Sequence, residues 1–222
     1  MQIYLDTASI EEIKKAAATG LLNGVTTNPT LIMKEGRDFK TEISEIVKIL
    51  KAHTDDFTVS AEVNSTEWKD MVKEGLEYAK WDKHIIIKVP MTQDGLIAVQ
   101  EFKRRKIRTN VTLCFSPNQA LLAAKAGAFI ISPFVGRIDD AGASGMDLIG
   151  QIKQIYENYG YETKVLVASV RTPTHVRDAA LIGADIATIP YKVFEQLFSH
   201  PLTDKGIAQF QADTAAYHQK LR

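Results

Sequence analysis

Lys88 stands inside the apolar run His84-Ile85-Ile86-Ile87-Lys88-Val89-Pro90. A strand buried on both faces would carry no charge there, because taking an ammonium out of water is expensive. If the run is a parallel strand in a closed barrel, the lysine lies near its carboxyl end, where such barrels gather reactive side chains. Burial disfavours the ammonium and leaves more free amine, which attacks a carbonyl to form a Schiff base. The competing reading is an ammonium that reaches back to water at a strand tip.

Polar residues close seven of eight candidate strands, several as pairs two apart, which strand alternation places on one face. In chain order they are Asp6; Thr26 and Asn28; Glu62; Lys88; Asn110 and Thr112; Ser132 with Phe134; and Ser169 with Arg171. Singly, each has a bland explanation, since strand ends meet water and Asn28-Pro29 reads as turn chemistry. Together, an amine, two carboxylates, hydroxyl and amide donors and an arginine are what Schiff-base carbon chemistry needs. The amine makes an iminium electron sink, a carboxylate moves protons, and the donors hold a polyol. Arg137 and Arg171, after the sixth and seventh strands, can clamp a phosphate, with Ser169 adding a hydroxyl. Asp139-Asp140 and Asp55-Asp56 read as solvated loop charges without a role.

The elements that must position these residues follow a repeated βα pattern. Strands are expected at 3–6, 24–28, 57–63, 84–89, 108–115, 129–134, 164–169 and 185–189. Helices are expected at 9–18, with Ser9 and Glu12 as a capping box, at 39–52, and at 66–79 with Thr66 as the cap. Two segments, Ala123 to Ala128 and Ala179 to Ala184, nearly repeat each other and place Gly127 and Gly183 where a helix ends. Eight such units predict an α/β fold, a single (β/α)8 TIM barrel over residues 1–222 with an additional C-terminal helix at 203–221. Ile207, Phe210, Tyr217 and Leu221 form a narrow stripe on that helix, which suits either its own barrel or a neighbouring subunit. A doubly wound open sheet is disfavoured, because Asp6-Thr7-Ala8-Ser9 follows the first strand where a Gly-rich phosphate loop would stand.

Composition narrows the functional classes. The 222 residues, 45% of them hydrophobic, can bury one large core. Lys+Arg and Asp+Glu both number 27, so there is no broad basic field for nucleic acid or an anionic membrane, and a phosphorylated small molecule needs only a local pocket. One cysteine suits a reducing cytosol, and the five histidines show no metal-ligand spacing, so neither metal nor cofactor is expected. The start of the chain reads as neither signal peptide nor targeting helix, and no run is long and apolar enough to span a bilayer, so a cytoplasmic location is expected.

Six segments, in order, resemble the motifs of transaldolases: Leu5-Asp6-Thr7, Gly24 to Thr30, Ile87 to Thr92, Thr109 to Thr112, Ser132 to Arg137, and Ala168 to Arg171. Their closest likeness is to the short bacterial and archaeal type that also includes the fructose-6-phosphate aldolases. The resemblance implies a metal-free enzyme that moves a dihydroxyacetone unit from sedoheptulose 7-phosphate or fructose 6-phosphate to erythrose 4-phosphate or glyceraldehyde 3-phosphate, in the pentose phosphate pathway. It makes Lys88 the Schiff-base lysine, Asp6 the general acid–base, and Glu62 the glutamate that works through a water. Thr26 joins the substrate-binding set; Asn28, Asn110, Thr112 and Ser132 match positions that bind hydroxyls or shape the lysine's surroundings; and Arg137, Ser169 and Arg171 match the phosphate clamp. It further implies a homo-oligomeric ring, a pentamer or a decamer built from pentamers, with the terminal helix reaching a neighbour. Fructose-6-phosphate aldolases carry glutamine and tyrosine where this chain has Glu62 and Phe134, so both positions point to the transferase. A fructose-6-phosphate aldolase and a non-catalytic sugar-phosphate-binding barrel are the alternatives.

Overall fold

Branched aliphatic residues fill the strand interiors, and the sheet they form closes on itself. In a computed structural model describing residues 1–220, eight parallel strands pair in sequence order, the last returning to the first. They are β1 (Gln2–Asp6), β2 (Gly24–Thr26), β3 (Thr58–Glu62), β4 (Ile85–Pro90), β5 (Thr109–Cys114), β6 (Ile130–Pro133), β7 (Lys164–Val167) and β8 (Ile186–Ile189). The helices are α1 (Ile10–Ala17), α2 (Pro29–Glu35), α3 (Phe39–Lys51), α4 (Trp68–Ala79), α5 (Gln93–Arg104), α6 (Pro117–Ala126), α7 (Val135–Asp140), α8 (Gly145–Tyr159), α9 (Pro173–Ile182), α10 (Tyr191–Gln196) and α11 (Pro201–Lys220). The expected (β/α)8 barrel with an added C-terminal helix is therefore what the chain forms. No helix among the described residues is long and apolar enough to cross a membrane.

Strand alternation divides the apolar residues into two cores. Tyr4, Ile86, Ile130, Leu166 and Ile186 fill the inside of the barrel. Ile85, Ile87 and Val89 face outward to join the larger core between strands and helices. Lys88 shares the inward direction of Ile86, one layer nearer the carboxyl ends. Glu62 and Asn110 are its register partners on the flanking strands and so point the same way. Gly24 makes room beneath: a Cβ there would lie 2.7 Å from the Tyr4 ring and 2.6 Å from the Thr58 carbonyl oxygen. On β5 the register with β6 shifts between Val111 and Cys114, with Leu113 in the left-handed region at φ 61°. This bulge keeps Thr112 facing inward while Cys114 joins the outer core.

Several local expectations are corrected. Ser9 precedes α1 but its side chain makes no cap; instead Thr7 Oγ1 accepts from Ser9 N at 3.1 Å and donates to Glu12 at 2.5 Å. Thr66 does not cap α4, whose Trp68 N–H is taken by Asp94 from the neighbouring helix at 2.9 Å. The short helices α2, α7 and α10 follow β2, β6 and β8. Finally, α11 buries none of its described residues, so it does not lie back on its own barrel. Ile207, Phe210 and Tyr217 are all exposed, and Leu221 falls outside the described residues.

Candidate active site

A small cavity of about 110 Å³ opens at the carboxyl ends of the strands, lined by Asp6, Thr26, Lys88, Thr112, Ser132 and Arg137 among others. Larger depressions lie elsewhere, one of about 690 Å³ at the amino-terminal ends of β5 to β7 and one of about 920 Å³ along α4. Both also carry lysines and carboxylates, but every one of those lysines is exposed to solvent, so an enclosed amine among convergent polar groups rather than size marks the site. Among the described residues, no group of three His, Cys, Asp or Glu side chains converges as metal ligands.

Lys88 is 5% exposed, and its ammonium does not reach back to bulk water. Nζ donates to the Thr27 carbonyl at 2.9 Å and pairs with Glu62 Oε2 at 2.9 Å. Glu62 stands at the rim on β3, where it can take a proton from the amine and pass it outward. Asp6 closes β1 on the other side. Burial pushes its carboxyl above the usual carboxylate range, against the opposing pull of the Lys88 ammonium and of the Thr26 hydroxyl, which donates to Oδ1 at 2.9 Å. The mouth thus holds two carboxylates in different states of need, one paired with the amine and one that favours its proton.

Asn110 is fully buried, and both ends of its amide are used: Nδ2 donates to Ser60 at 3.2 Å and Oδ1 accepts from Ser132 at 2.7 Å. It sits beside Lys88 in the sheet and shapes the lysine's surroundings. Asn28 lines the cavity and also caps α2, its Oδ1 accepting from Leu31 N at 2.9 Å, so its amide N–H groups are what it can offer a ligand. Thr112 Oγ1 is buried with no hydrogen-bond partner among the described residues, a hydroxyl on the cavity wall with its capacity unspent.

The phosphate end is less uniform. Arg137 lines the cavity with its guanidinium 4.8 Å from the Phe134 ring centre, and Ser169 lines it with a backbone at φ 58°, a conformation rare for a residue other than glycine. That turn lets the Ser169 carbonyl accept from Gly136 N at 3.1 Å, and any Cβ at Gly136 would lie 2.2 Å from the same oxygen. Arg171, by contrast, is outside the cavity lining and donates to Asp140 Oδ2 at 2.7 Å. Asp139 and Asp140 are therefore not free loop charges: Asp139 accepts from Gly145 N at 2.9 Å and pairs with His175 at 3.2 Å.

Three lining residues lie outside the expected set, the apolar Leu166 and Ala168 and the polar Thr188 on β8. Threonine is a common strand residue, so a hydroxyl within Ile-Ala-Thr-Ile raises no anomaly of the kind a lysine does.

The family model described as Transaldolase/Fructose-6-phosphate aldolase matches residues 3–221. The chain is 54% identical over 214 residues to a protein named "Probable transaldolase" from Leptospira biflexa, covering 96% of this chain and 98% of the relative. It is 53% identical over 221 residues to one of the same name from Caulobacter vibrioides, covering 100% of both. A third, from Roseiflexus sp. (strain RS-1), is 56% identical over 220 residues and 99% of each chain.

Proposed function

The chain belongs to the transaldolase/fructose-6-phosphate aldolase family, and from that premise we propose that it is a transaldolase working through a Schiff base on Lys88. The donor is sedoheptulose 7-phosphate or fructose 6-phosphate, and the acceptor is erythrose 4-phosphate or glyceraldehyde 3-phosphate, in the pentose phosphate pathway. One observation carries the reading: an amine buried at a barrel mouth with a carboxylate oxygen 2.9 Å away that can relieve it of a proton. The freed amine attacks the ketose carbonyl, and the carbinolamine loses water with Glu62 and Asp6 moving protons. Asp6 then takes the proton of the C4 hydroxyl as the C3–C4 bond breaks, the electron pair passing into the iminium. The aldose phosphate leaves, and the three-carbon unit stays on Lys88 as an enamine. An incoming aldehyde accepts that carbon, Asp6 returns the proton to the new alkoxide, and hydrolysis frees the lysine.

Phe134 supports transfer over simple cleavage, because it offers the enamine an apolar face and no proton. Thr26, Asn28, Thr112 and Ser132 would hold the polyol, and Arg137, Ser169 and Arg171 the phosphate, Arg171 after leaving Asp140. The exposed stripe of Ile207, Phe210 and Tyr217 on α11 supports packing on a second copy in a homo-oligomer, a pentamer or decamer, which light scattering would size. Burial pushes the Cys114 thiol up to about 11, leaving a single inert thiol that suits a cytoplasmic enzyme.

Borohydride added with fructose 6-phosphate should fix a three-carbon adduct on Lys88, located by peptide mass spectrometry. A coupled assay should then show turnover that depends on erythrose 4-phosphate, with little free dihydroxyacetone. An adduct on another lysine, or none, would overturn the mechanism; acceptor-independent release of dihydroxyacetone would make the enzyme an aldolase.

A further inference from the structure

Thr188 Oγ1 lies 2.6 Å from Thr26 Oγ1, and Thr26 Oγ1 donates to Asp6 Oδ1. Thr188 is 1% exposed and Thr26 2% exposed, so neither hydroxyl is satisfied by bulk water. A threonine hydroxyl carries one proton, and an ionised carboxylate can only accept. With Asp6 ionised, the Thr26 proton is committed to Asp6. The proton between the two threonines must then come from Thr188, and the chain runs one way, from Thr188 through Thr26 to Asp6.

We propose that Thr188 is a positioning residue for the reaction: by donating to Thr26 it fixes that hydroxyl as a donor to Asp6 and tunes how Asp6 takes and returns its proton. The inference rests on the assignment of Asp6 as proton carrier. A donor that is itself accepting a hydrogen bond is polarised, and an ionised acceptor gains more from this than a neutral acid does. Removing the Thr188 hydroxyl should therefore favour protonated Asp6. The charged groups that face Asp6 are Lys88 from β4, with Glu62 of β3 on its ammonium, and Arg137 from α7. The strands β2, β5, β6 and β8 bring only neutral polar groups, Thr26, Thr112, Ser132 and Thr188, to the cavity.

The test is the pH dependence of kcat and kcat/KM for the full-length protein and its Thr188→Val, Thr188→Ala and Thr188→Ser variants, with Lys88 trapping by borohydride measured in each. Val and Ala should lower kcat about threefold to tenfold, the scale of one hydrogen bond, with KM nearly unchanged. The acid limb should move to higher pH, and Ser should restore both. Thr26→Val should shift the limb the same way, and the Thr26→Val, Thr188→Val double variant should show no further shift, since both act through one chain. Profiles that superimpose on the parent while Lys88 still traps would overturn this inference alone, as would a Ser variant as impaired as Val. Absence of trapping in the parent enzyme would overturn the underlying mechanism and this inference with it.

Discussion

Glu62 and Lys88 are register partners on adjacent strands, and their carboxylate and ammonium meet at 2.9 Å. The pair is more than a neutralised charge. Its lysine is enclosed and its glutamate, with 15% of the side chain exposed, stands at the exit, so protons can leave the amine toward solvent.

Lys88→Met should therefore remove both the borohydride adduct and detectable transfer. Glu62→Gln keeps the shape but accepts no proton, and should slow trapping on Lys88 by about 10²-fold or more, the range of general acid–base catalysis. Quenched-flow trapping measures this, and a Gln variant that traps at the parent rate would remove Glu62 from the proton path.

Asp6→Asn should make the protein more stable at pH 7 while abolishing most activity. Burial raises the Asp6 carboxyl above its unfolded value of 3.8, so the folded state binds that proton more tightly than the unfolded chain does. The stabilising contribution is full below the unfolded value and is lost as pH rises through the folded one. At neutral pH burying this carboxyl carries a cost that asparagine avoids, and Tm should rise about 2–4 °C for each kcal/mol relieved. The gain should shrink toward pH 3 in calorimetric scans.

Asp82 behaves in the opposite sense at the amino-terminal end of the barrel. Despite desolvation, it is held at about 2 by Lys51, by the backbone N–H of His84 at 3.0 Å and by the His84 ring at 2.7 Å. Its contribution is present above the unfolded value of 3.8 and lost as pH falls through about 2. Asp82→Asn should cost roughly 1–2 kcal/mol at pH 7, allowing for partial exposure, and almost nothing near pH 2. Urea titrations at the two pH values compare them directly.

Phe134→Tyr should redirect the enamine toward protonation and release. Free dihydroxyacetone formed from fructose 6-phosphate without acceptor should rise several-fold relative to transfer. Unchanged partitioning would separate acceptor dependence from this side chain.

Asp140→Asn should free Arg171. Both side chains of that pair are more than half exposed, so Tm should hardly move. If Arg171 turns to the substrate phosphate, KM for fructose 6-phosphate should fall about twofold to fivefold with kcat steady, while KM for an unphosphorylated ketose stays put. Steady-state kinetics on the two donors decide it.

The sequence by itself determined the eight strands and the inward-facing polar residues of the first six, because period-two alternation and helical spacing are local properties. It also exposed Lys88, since a charge among isoleucines is an anomaly visible without coordinates. Only the tertiary structure decided which polar groups still have capacity for a ligand. Asn110 is engaged at both ends by Ser60 and Ser132, Arg171 is held by Asp140, and Thr112 has no partner among the described residues. Thr188 and Thr26 are 162 residues apart and meet because β8 closes onto β1, which pairs with β2. A hydroxyl's role depends on what lies within 3 Å of it, and barrel closure, a property of all eight strands at once, sets that distance.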